Sequence, residues 1–278
     1  MAKILSKREF SPGVKEYTLD APLIAKKCQA GQFVIIRTDT HGERIPLTIA
    51  DFDRDGGTIT IVVQEVGNST KHLGESFGVG DEILDLLGPL GRPSHIENFR
   101  TAICIGGGIG VAPVYPIARE LKKAGNKIIS IIGARNKDLI IFEEKMRATS
   151  DELFITTDDG SIGRKGFVTD PLREILRAGG KPGLVLAIGP VVMMRNVAAV
   201  TKEYGVYTVA SLNSIMVDGT GMCGGCRVAV GDETKFVCVD GPEFDAHLVD
   251  FTNLMQRQQM YKEQEALEYS CGGHCQCL

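Results

Sequence analysis

The first third of the chain alternates between short apolar runs and polar turns, with the period of two that is typical of β-strands. The runs are rich in Ile, Val and Thr, and clusters of Gly, Pro and Asp separate them. We see no strong helical pattern between them. The pattern predicts a small closed antiparallel barrel, with a sandwich as the alternative. Its six strands are Lys3–Phe10, Lys15–Leu19, Gln32–Thr38, Ile45–Asp51, Thr58–Val66 and Glu82–Leu87.

From Arg100 onward, apolar runs alternate with segments of helical periodicity. Thr101–Ile105 is an apolar run, as expected for a strand buried on both faces. After it, apolar residues repeat on one helix face from Val114 to Leu121, and Gly125 ends the helix. This alternation predicts a parallel sheet with helices on both sides. Further strands are expected at Ile128–Gly133, Leu153–Thr156, Leu184–Ile188 and Tyr207–Ser211.

The pattern of apolar and polar residues changes again beyond about Leu212. Short β segments are predicted at Arg227–Val230 and Lys235–Val239, followed by a helix over Asn253–Leu267 and a Cys-rich tail from Ser270. The sequence therefore predicts a multidomain protein with three parts: an antiparallel β-barrel, a parallel-sheet α/β domain and a small C-terminal domain. They are expected to span residues 1–98, 99–211 and 212–278.

Composition and charge narrow the functional classes. With 43% apolar residues and a net charge of −4, the 278-residue chain is neither disordered nor basic enough for nucleic acid. Its first ten residues lack the apolar core of a signal peptide. The long uncharged stretch Thr101–Ala118 contains four Gly and two Pro, which argue against a membrane helix. We expect a cytoplasmic protein with no nucleic-acid or membrane partner.

A glycine-rich loop, Gly106–Pro113, joins the first parallel strand to its helix. Glycines let a backbone approach a phosphate closely, and a helix N-terminus offers free N–H groups. The loop departs from the G-x-G-x-x-G fingerprint, because Val111 replaces the last Gly and Arg135, not an acid, follows the second strand. A tight turn without a ligand is the alternative. Four Gly in five residues favour a phosphate-containing ligand.

A second loop, Gly189-Pro190, ends the fourth parallel strand and begins a helix with Met193 and Met194 in its first turn. In open α/β sheets, ligands lie beyond the carboxyl ends of the strands, where the strand order reverses. We therefore expect the ends of the first and fourth strands to face each other across the ligand. The Met pair alone is more typical of a core than of a cofactor contact.

Six of the eight Cys residues follow position 222, and without a secretion signal we do not expect disulfides. Cys223, Cys226 and Cys238 form C-x2-C-x11-C. Plant-type [2Fe–2S] sites have a further Cys five positions before the first of these, where this chain has Asp218. We expect an iron–sulfur site with the Asp218 carboxylate as fourth ligand. A zinc site is the alternative, since the C-x2-C arm suits both metals.

The tail adds four metal-binding side chains within seven residues. They either form a metal site, or supply a ligand in place of Asp218, or have no partner, as is common at chain ends. These residues are Cys271, His274, Cys275 and Cys277.

Two segments of the predicted barrel carry side chains that suit the binding of a phosphate and of a flavin ring. Arg44–Thr48 places a guanidinium, a rigid Pro46 and a hydroxyl on one strand, and Arg suits a pyrophosphate because it binds in a bidentate manner. The turn Gly67–Thr70 offers glycine, hydroxyls and a helix start. Each signal is weak alone, since a lone Arg on a strand is usually solvated.

Taken together, the ordered motifs resemble the ferredoxin–NADP reductase superfamily, in the branch of dihydroorotate dehydrogenase B electron-transfer subunits. The resemblance covers essentially the full chain. It implies an FAD-binding barrel, an NAD(P)-binding domain and a C-terminal [2Fe–2S] domain. The motifs that carry it are R-x-P-L-T, V-G-N-S-T, G-P-L-G, G-G-G-I-G-V-A-P, G-A-R, D-D-G-S, I-G-P-x-x-M-M and the three-Cys loop.

The resemblance also implies a set of site residues. In that family, residues at the positions of Arg44 and Thr48 hold the FAD pyrophosphate and flavin, and the two glycine loops receive the nicotinamide cofactor. The expected cofactor contacts are Arg44, Pro46, Leu47, Thr48, Val62, Gln64, Gly67, Asn68, Ser69, Thr70, Gly106, Gly107, Gly108, Gly110, Pro113, Arg135, Asp158, Gly189, Pro190 and Met193. The expected metal ligands are Asp218, Cys223, Cys226 and Cys238. We expect no side chain to act as a general acid or base.

Asp218 departs from the dihydroorotate branch, which has Cys there. With Asp at this position, the chain resembles the small subunits of electron-bifurcating NADH-dependent reduced ferredoxin:NADP+ oxidoreductases. It also resembles those of sulfide dehydrogenase. This resemblance implies an enzyme subunit that exchanges hydride between NAD(H) and FAD and single electrons with a [2Fe–2S] cluster. Its partner would be a larger flavoprotein with FAD and [4Fe–4S] clusters, linked to NADPH and ferredoxin.

Two other functions stay open at this point. One is a dihydroorotate dehydrogenase electron-transfer subunit, and the other is a non-catalytic zinc-binding module with a reductase fold. The sequence does not choose between NADH and NADPH. Arg135 suits a 2′-phosphate, whereas Asp158 or Asp159 suits ribose hydroxyls.

Overall fold

The structure is a computed structural model that describes residues 1–40 and 42–262. Its first sheet has seven strands, every neighbouring pair antiparallel, in the order β6-β1-β2-β5-β4-β3-β7. Only Leu84 separates β6 from β7 along the chain, so the two edges of the sheet meet and the barrel nearly closes. This confirms the predicted barrel and excludes the sandwich. The strands are β1 Ala2–Ser11, β2 Val14–Asp20, β3 Phe33–Arg37, β4 Ile45–Asp53, β5 Thr58–Gln64, β6 Glu82–Ile83 and β7 Asp85–Leu90.

The barrel interior follows from the alternation that predicted the strands. On β5, Ile59, Ile61 and Val63 are buried in one cluster, because side chains two residues apart lie on the same face of a strand. Two expectations were wrong. The single strand predicted over Glu82–Leu87 is split between β6 and β7. Helix α1 Pro22–Lys27 was also not expected, whereas α2 Asn68–Ser76 begins at the turn where a helix start was expected.

The second sheet is parallel along six strands and confirms the predicted α/β domain. Its order is β11-β10-β9-β8-β12-β13, and antiparallel β16 (Glu243–Asp245) extends it beyond β13. The chain leaves β8 for β9 on one side and later places β12 on the other, so strand order reverses at the predicted point. The parallel strands are β8 Thr101–Gly107, β9 Lys127–Ala134, β10 Glu152–Thr157, β11 Arg164–Lys165, β12 Leu184–Ile188 and β13 Thr208–Ser211.

Helices cover both faces of this sheet. Ala102 and Cys104 of β8 pack into one apolar cluster, and Ile103 and Ile105 pack into another on the opposite face. Burial on both faces explains the apolar run that predicted this strand. Among the described residues, no helix is long and apolar enough to cross a membrane. The helices are α3 Val111–Lys123, α4 Glu143–Thr149, α5 Thr169–Arg177 and α6 Val191–Glu203.

The C-terminal segment forms the ribbon β14 (Arg227–Val230) and β15 (Glu233–Phe236), then α7 (Val237–Asp240), β16 and α8 (Phe251–Arg257). The strand predicted over Lys235–Val239 therefore gives way to a helical turn at Val237. Helix α8 begins two residues before the predicted start because the Asp250 carboxylate accepts a hydrogen bond from the backbone N–H of Asn253 at 2.9 Å.

The C-terminal segment shares its core with the parallel sheet. Val228, Val237 and Leu254 belong to the same apolar cluster as Met194 and Val197 of α6. The predicted domain boundaries stay predictions. The Cys-rich tail from Ser270, and the end of the helix that was expected to reach Leu267, lie outside the described residues.

A cleft between barrel and parallel sheet, beside a cysteine loop

A cleft of about 850 Å³ lies where the barrel, the parallel sheet and the C-terminal segment meet. This volume is near the upper end for small-molecule sites, so the cleft has room for more than one ring system. Most of the expected cofactor contacts line it. They are Pro46, Leu47, Thr48, Val62, Gln64, Gly107, Gly108, Gly110, Pro113, Arg135, Asp158, Gly189, Pro190 and Met193.

Six expected contacts do not line the cleft. Gly106 lies beneath the glycine loop, where a Cβ would be 2.8 Å from the Val111 Cα. The other five, to which the family resemblance assigns phosphate binding, are exposed or half-buried outside the cleft lining. They are Arg44, Gly67, Asn68, Ser69 and Thr70. The cofactor roles of all these residues stay predictions.

The glycine loop after β8 is shaped by close packing against β12 and α6. A Cβ at Gly107 would collide with the Met193 sulfur and lie 3.2 Å from Cδ of Pro190, so the two glycine loops touch as expected. A Cβ at Gly110 would collide with the carbonyl oxygen of Ile188. These positions need glycine because neighbouring atoms occupy the space of a side chain.

Gly108 requires glycine for a different reason. Its φ of +55° is in the left-handed region, and a Cβ there would meet no atom within 4 Å. The open space faces the cleft, and α3 begins three residues later at Val111. A phosphate can therefore approach the bare backbone at a helix N-terminus, so the loop fits the predicted dinucleotide.

Arg135 and Asp158 follow β9 and β10, and both are exposed at one end of the cleft. Asp159 has another role. Its carboxylate accepts hydrogen bonds from the hydroxyl and the backbone N–H of Ser161, at 2.6 and 2.9 Å, and these bonds lower the pKa of Asp159. The structure therefore leaves Asp158, and not Asp159, as the acidic group that lines the cleft.

Arg44 contacts the cysteine loop. Its Nε donates to the carbonyl oxygen of Val217 at 2.9 Å, and Nη2 donates to that of Asp218 at 3.2 Å. The turn before α2 closes on itself, because the Thr70 hydroxyl accepts from the backbone N–H of Gly67 at 3.0 Å. The helix start expected at this turn is therefore present, outside the cleft.

The cysteine loop wraps around the carboxylate of Asp218. That carboxylate accepts from the backbone N–H groups of Thr220 and Cys223, each at 2.8 Å, and these bonds lower the pKa of Asp218. The loop also lies against the barrel, because a Cβ at Gly219 would be 2.5 Å from Cδ1 of Ile35. Asp218 thus sits inside the loop that carries the predicted metal ligands.

Two of the three predicted thiol ligands already meet. The sulfurs of Cys226 and Cys238 are buried 3.2 Å apart, and burial raises the pKa of Cys238 to about 12. Cys223 is exposed on the loop. Within residues 1–40 and 42–262, no three His, Cys, Asp or Glu side chains converge on one ion. The donor set itself, thiols with a carboxylate, suits iron–sulfur or zinc.

The other two described cysteines have no such role. Cys28 and Cys104 are buried in apolar cores, and burial raises their pKa to about 11 and about 12. Unlike Cys226 and Cys238, these two thiols do not lie together, because they belong to separate apolar clusters.

Several cleft residues were missed from the sequence. One group directly follows β13, and the rule that ligands lie beyond the carboxyl ends of parallel strands could have found it. The Ser214 hydroxyl in this group is buried without a hydrogen-bond partner among the described residues. Phe167 was also missed, and no local pattern signals it. The missed residues include Val14, Phe33, Phe167, Asn196, Ser211, Leu212, Asn213, Ser214, Met216 and Pro242.

Two family models match parts of the chain. Residues 104–199 match the oxidoreductase NAD-binding domain, and residues 213–250 match the iron–sulfur cluster binding domain of dihydroorotate dehydrogenase B. The matched ranges contain the glycine loop and the cysteine loop. They confirm the predicted nicotinamide-binding and iron–sulfur domains.

Relatives share nearly the whole length of the chain. A Clostridium beijerinckii protein, described as an uncharacterized protein in the adh 3′ region, is 49% identical over 95% of this chain and 92% of its own. A Thermotoga maritima homologue of the dihydroorotate dehydrogenase B (NAD(+)) electron transfer subunit is 45% identical over 96% of this chain and 94% of its own.

One solved structure is equally similar. It is reported as giving insights into flavin-based electron bifurcation via the NADH-dependent reduced ferredoxin-NADP oxidoreductase. It shares 44% identity and a TM-score of 0.91 with this chain, over 97% of each. With its two matched domains and these full-length relatives, the chain belongs to the family of dihydroorotate dehydrogenase B electron-transfer subunits and their homologues.

Proposed function

We propose that the chain is the flavin and iron–sulfur subunit of an electron-bifurcating NADH-dependent ferredoxin:NADP+ oxidoreductase, working with a larger partner subunit. The observation that carries this proposal is the cleft. It sets barrel residues such as Thr48 and Gln64 opposite the loop at Gly108, with the cysteine loop beside it. The full-length likeness to the structure described for flavin-based bifurcation supports it.

In this proposal, residues on the two sides of the cleft bind two different cofactors. Bound FAD would supply hydride and single-electron chemistry, and the residues of the cleft would hold it in place. The Gly108 backbone and the N-terminus of α3 bind the pyrophosphate of the dinucleotide. Thr48 and Gln64, on the barrel side, orient the flavin ring by hydrogen bonds. The largely apolar lining excludes water from the space between the two rings.

Arg44 connects the flavin side to the cluster side. Two of its N–H groups hold the backbone carbonyls of Val217 and Asp218, and its remaining donors are free to bind the FAD pyrophosphate. In this proposal Asp218, Cys223, Cys226 and Cys238 hold a [2Fe–2S] cluster. The guanidinium would then fix the cluster loop against the barrel that carries the flavin.

The rim of the cysteine loop offers a surface for the larger subunit. Met222 is 88% exposed beside exposed Cys223, and Val217 and Val239 are also exposed. A cluster that transfers single electrons must lie near the acceptor in the partner subunit. The exposed apolar residues of this rim are suited to a stable protein–protein interface. We propose that the partner carries FAD and [4Fe–4S] clusters, and that it couples this chain to NADPH and ferredoxin.

The test uses the full chain purified without oxygen and loaded with FAD and cluster. NADH should reduce the flavin in the wild type. Gly108→Val should abolish this reduction because the new side chain fills the phosphate cradle, whereas dithionite should still reduce the flavin. Gly205→Val is the matched control, since Gly205 also has a positive φ and open space but lies outside the cleft.

Two outcomes would contradict the proposal. Unchanged NADH oxidation in Gly108→Val, measured with an artificial acceptor, would mean that the glycine loop is not the dinucleotide site. A colourless purified protein that binds zinc would exclude an oxidoreductase and favour the zinc-module alternative.

A second function, electron transfer for dihydroorotate dehydrogenase B, is favoured by the names of several relatives. One from Fusobacterium nucleatum is 35% identical over 81% of this chain. Co-expression with a candidate larger subunit of each kind separates the two functions. Oxidation of dihydroorotate by NAD+ would support the second function. Reduction of NADP+ that requires both NADH and reduced ferredoxin would support the first.

A further inference from the structure

Outside the cleft, the barrel and the parallel-sheet domain meet in a network of four charged side chains. The barrel supplies two acids, Glu16 of β2 and Asp51 of β4, and the helices supply two bases, Arg119 of α3 and Lys145 of α4. Arg119 Nη1 donates to the Asp51 carboxylate at 2.6 Å. Lys145 Nζ lies 3.6 Å from Glu16 Oε2 and 3.7 Å from Asp51 Oδ2. Opposite charges thus face each other across the junction, and we call this network the clasp.

Aromatic rings cover the clasp and limit its contact with water. The guanidinium carbon of Arg119 lies 5.3 Å from the centroid of the Phe52 ring, and Lys145 Nζ lies 4.3 Å from that of Phe142. The side chains of Arg119 and Asp51 are each only 24% exposed. Charges that are partly removed from water attract each other more strongly, and a cation over a ring face is stabilised further. The ion pair between Arg119 and Asp51 is therefore held in one geometry.

An ion pair of this kind is better suited to fixing an orientation than to adding stability. Desolvation offsets much of the attraction between partly buried charges, whereas the bonds that they make define one arrangement of the groups. Glu16 shows this cost: its Oε2 is buried without a hydrogen-bond partner among the described residues, and Lys145 is its cationic neighbour. The clasp therefore points to a role in positioning the barrel against the helices.

The clasp and the cleft are joined by the same two elements. Thr48 of β4 and Pro113 of α3 line the cleft, and Asp51 and Arg119 follow them on the same strand and the same helix. The strand covers about 10 Å between its two residues, and the helix covers about 9 Å between its two. Because β4 and α3 both run from the cleft to the clasp, a shift at the clasp moves the two walls of the cleft relative to each other.

We propose that Arg119 and Asp51 are positioning residues, and that their ion pair sets the separation of the two cleft walls and so the rate of hydride transfer between the cofactors. This proposal rests on the function proposed above, in which Thr48 lies on the flavin wall and Gly108 on the dinucleotide wall. The transfer moves one hydride from NADH to FAD, giving NAD+ and FADH−, and it needs reacting atoms about 3–3.5 Å apart. Each cofactor is held mainly by one wall, so a loosened clasp slows the transfer and leaves each affinity nearly unchanged.

The experiment compares Arg119→Gln, Asp51→Asn and the double variant, each as the full chain loaded with FAD and cluster without oxygen. Stopped-flow reduction of the flavin by NADH gives a limiting rate and a Kd for NADH. In each single variant the limiting rate should fall roughly 5- to 100-fold, because a misplacement of about 1 Å has a cost of this order, while the Kd should change less than about two-fold. The double variant should be no slower than the slower single variant, because both substitutions break the same bond.

Hydrogen–deuterium exchange supplies a readout apart from activity. The Met146 N–H donates to the Phe142 carbonyl at 2.8 Å in the first turn of α4, the helix that carries Lys145. Local opening exposes such an amide to solvent, so it should exchange at least about three-fold faster in Arg119→Gln than in the wild type.

Lys122→Gln serves as the matched control, because Lys122 lies on the same helix and pairs with Asp151 at 2.5 Å within the parallel-sheet domain. It should change neither the limiting rate nor the exchange. Single variants with the wild-type limiting rate would overturn the proposal, as would losses that multiply in the double variant, or unchanged exchange in Arg119→Gln. A wild type whose flavin is not reduced by NADH would instead refute the proposed function, and this proposal with it. Flavin content and the thermal midpoint of each variant exclude misfolding.

Discussion

The two glycine-containing loops of this chain are built in opposite ways. The nucleotide loop, Gly106–Gly110, is fixed by the sheet: side-chain positions at Gly107 and Gly110 are filled by α6 and by the end of β12. The cluster loop, Asp218–Cys226, is held by hydrogen bonds: two of its own N–H groups donate to the Asp218 carboxylate, and Arg44 and Arg257 donate to the carbonyls of Asp218 and Gly225. Met222 and Cys223 on that loop are exposed.

The difference teaches what each loop depends on. A loop formed by packing needs no ligand to take its shape, and it presents a preformed site. A loop that carries metal ligands on an exposed turn gains much of its stability from the metal, because metal binding couples to folding. We therefore expect the nucleotide loop to respond to core substitutions and the cluster loop to respond to its ligands.

The largest effect should follow from removing a thiol ligand. Cys226→Ser should eliminate the cluster absorption and its paramagnetic signal, because an alcohol is a poor ligand for iron compared with thiolate. NADH should still reduce the flavin, since the nucleotide loop forms without the cluster. Iron and sulfide analysis checks the first result. Cys28→Ser, the matched control at a buried thiol outside the loop, should keep the cluster.

If Cys226→Ser also abolished flavin reduction by NADH, the two loops would depend on each other, and the contrast between them would fail.

Gly110→Ala should destabilise the nucleotide loop through packing alone. The φ of Gly110 is −62°, which any residue adopts, but a Cβ would collide with the Ile188 carbonyl. We expect the free energy of unfolding to fall by roughly 2–3 kcal/mol, and the KM for NADH to rise. Urea unfolding measures the first effect. In the control Gly78→Ala, the nearest atom to the new Cβ is 3.7 Å away, and the change should stay within about 0.5 kcal/mol.

A substitution at Glu243 tests the contact between the C-terminal segment and the parallel sheet. It lies on β16, bonds to the Ser94 hydroxyl at 2.5 Å, and burial raises its pKa from 4.5 to about 7. A raised carboxyl pKa means that stability is fully present below about pH 4.5 and is lost as the pH rises through about 7. The charged form should therefore destabilise the fold by about 2 kcal/mol at alkaline pH, after a discount for solvent screening.

Glu243→Gln should remove that pH dependence. The variant should gain about 2 kcal/mol over the wild type near pH 8.5, and the gain should shrink towards about pH 5.5, as followed by urea unfolding. Glu75→Gln, on an exposed position of α2, is the control and should show no such trend. An equal gain at both pH values would mean that the charge of Glu243 is not the cause.

The smallest effect concerns Asp218, the least usual ligand. Asp218→Cys should keep the cluster but shift its reduction potential and its paramagnetic signal, because both respond to ligand identity. Asp218→Ala should make the cluster labile. Asp232→Ala, in the exposed turn between β14 and β15, should change neither property. Truncation after Ser270 should also be neutral. If truncation destroyed the cluster while Asp218→Ala kept it, the fourth ligand would be in the tail.

The elements of regular periodicity were predictable because their signals are local. Strand β8 and helix α3 follow from an apolar run, a glycine turn and an apolar helix face, and both formed as expected. The split between β6 and β7 and the helical turn at Val237 were not predictable in this way. In both cases the local pattern continues. Strands β6 and β7 are separated because they pair with different strands, β1 and β3. At Val237 the chain turns towards Cys226, whose carbonyl accepts from the Val237 N–H at 3.2 Å.

By itself the sequence determined the three-part order of barrel, parallel sheet and cysteine segment, and the two glycine loops on the cleft wall. Periodicity and motif spacing encode those features within a few neighbouring residues. Only the tertiary structure decided that Phe167 lines the cleft, that Arg44 holds the loop at Asp218, and that β16 extends the parallel sheet. Each of these contacts joins residues that are distant in sequence, and their geometry follows from how whole elements pack together.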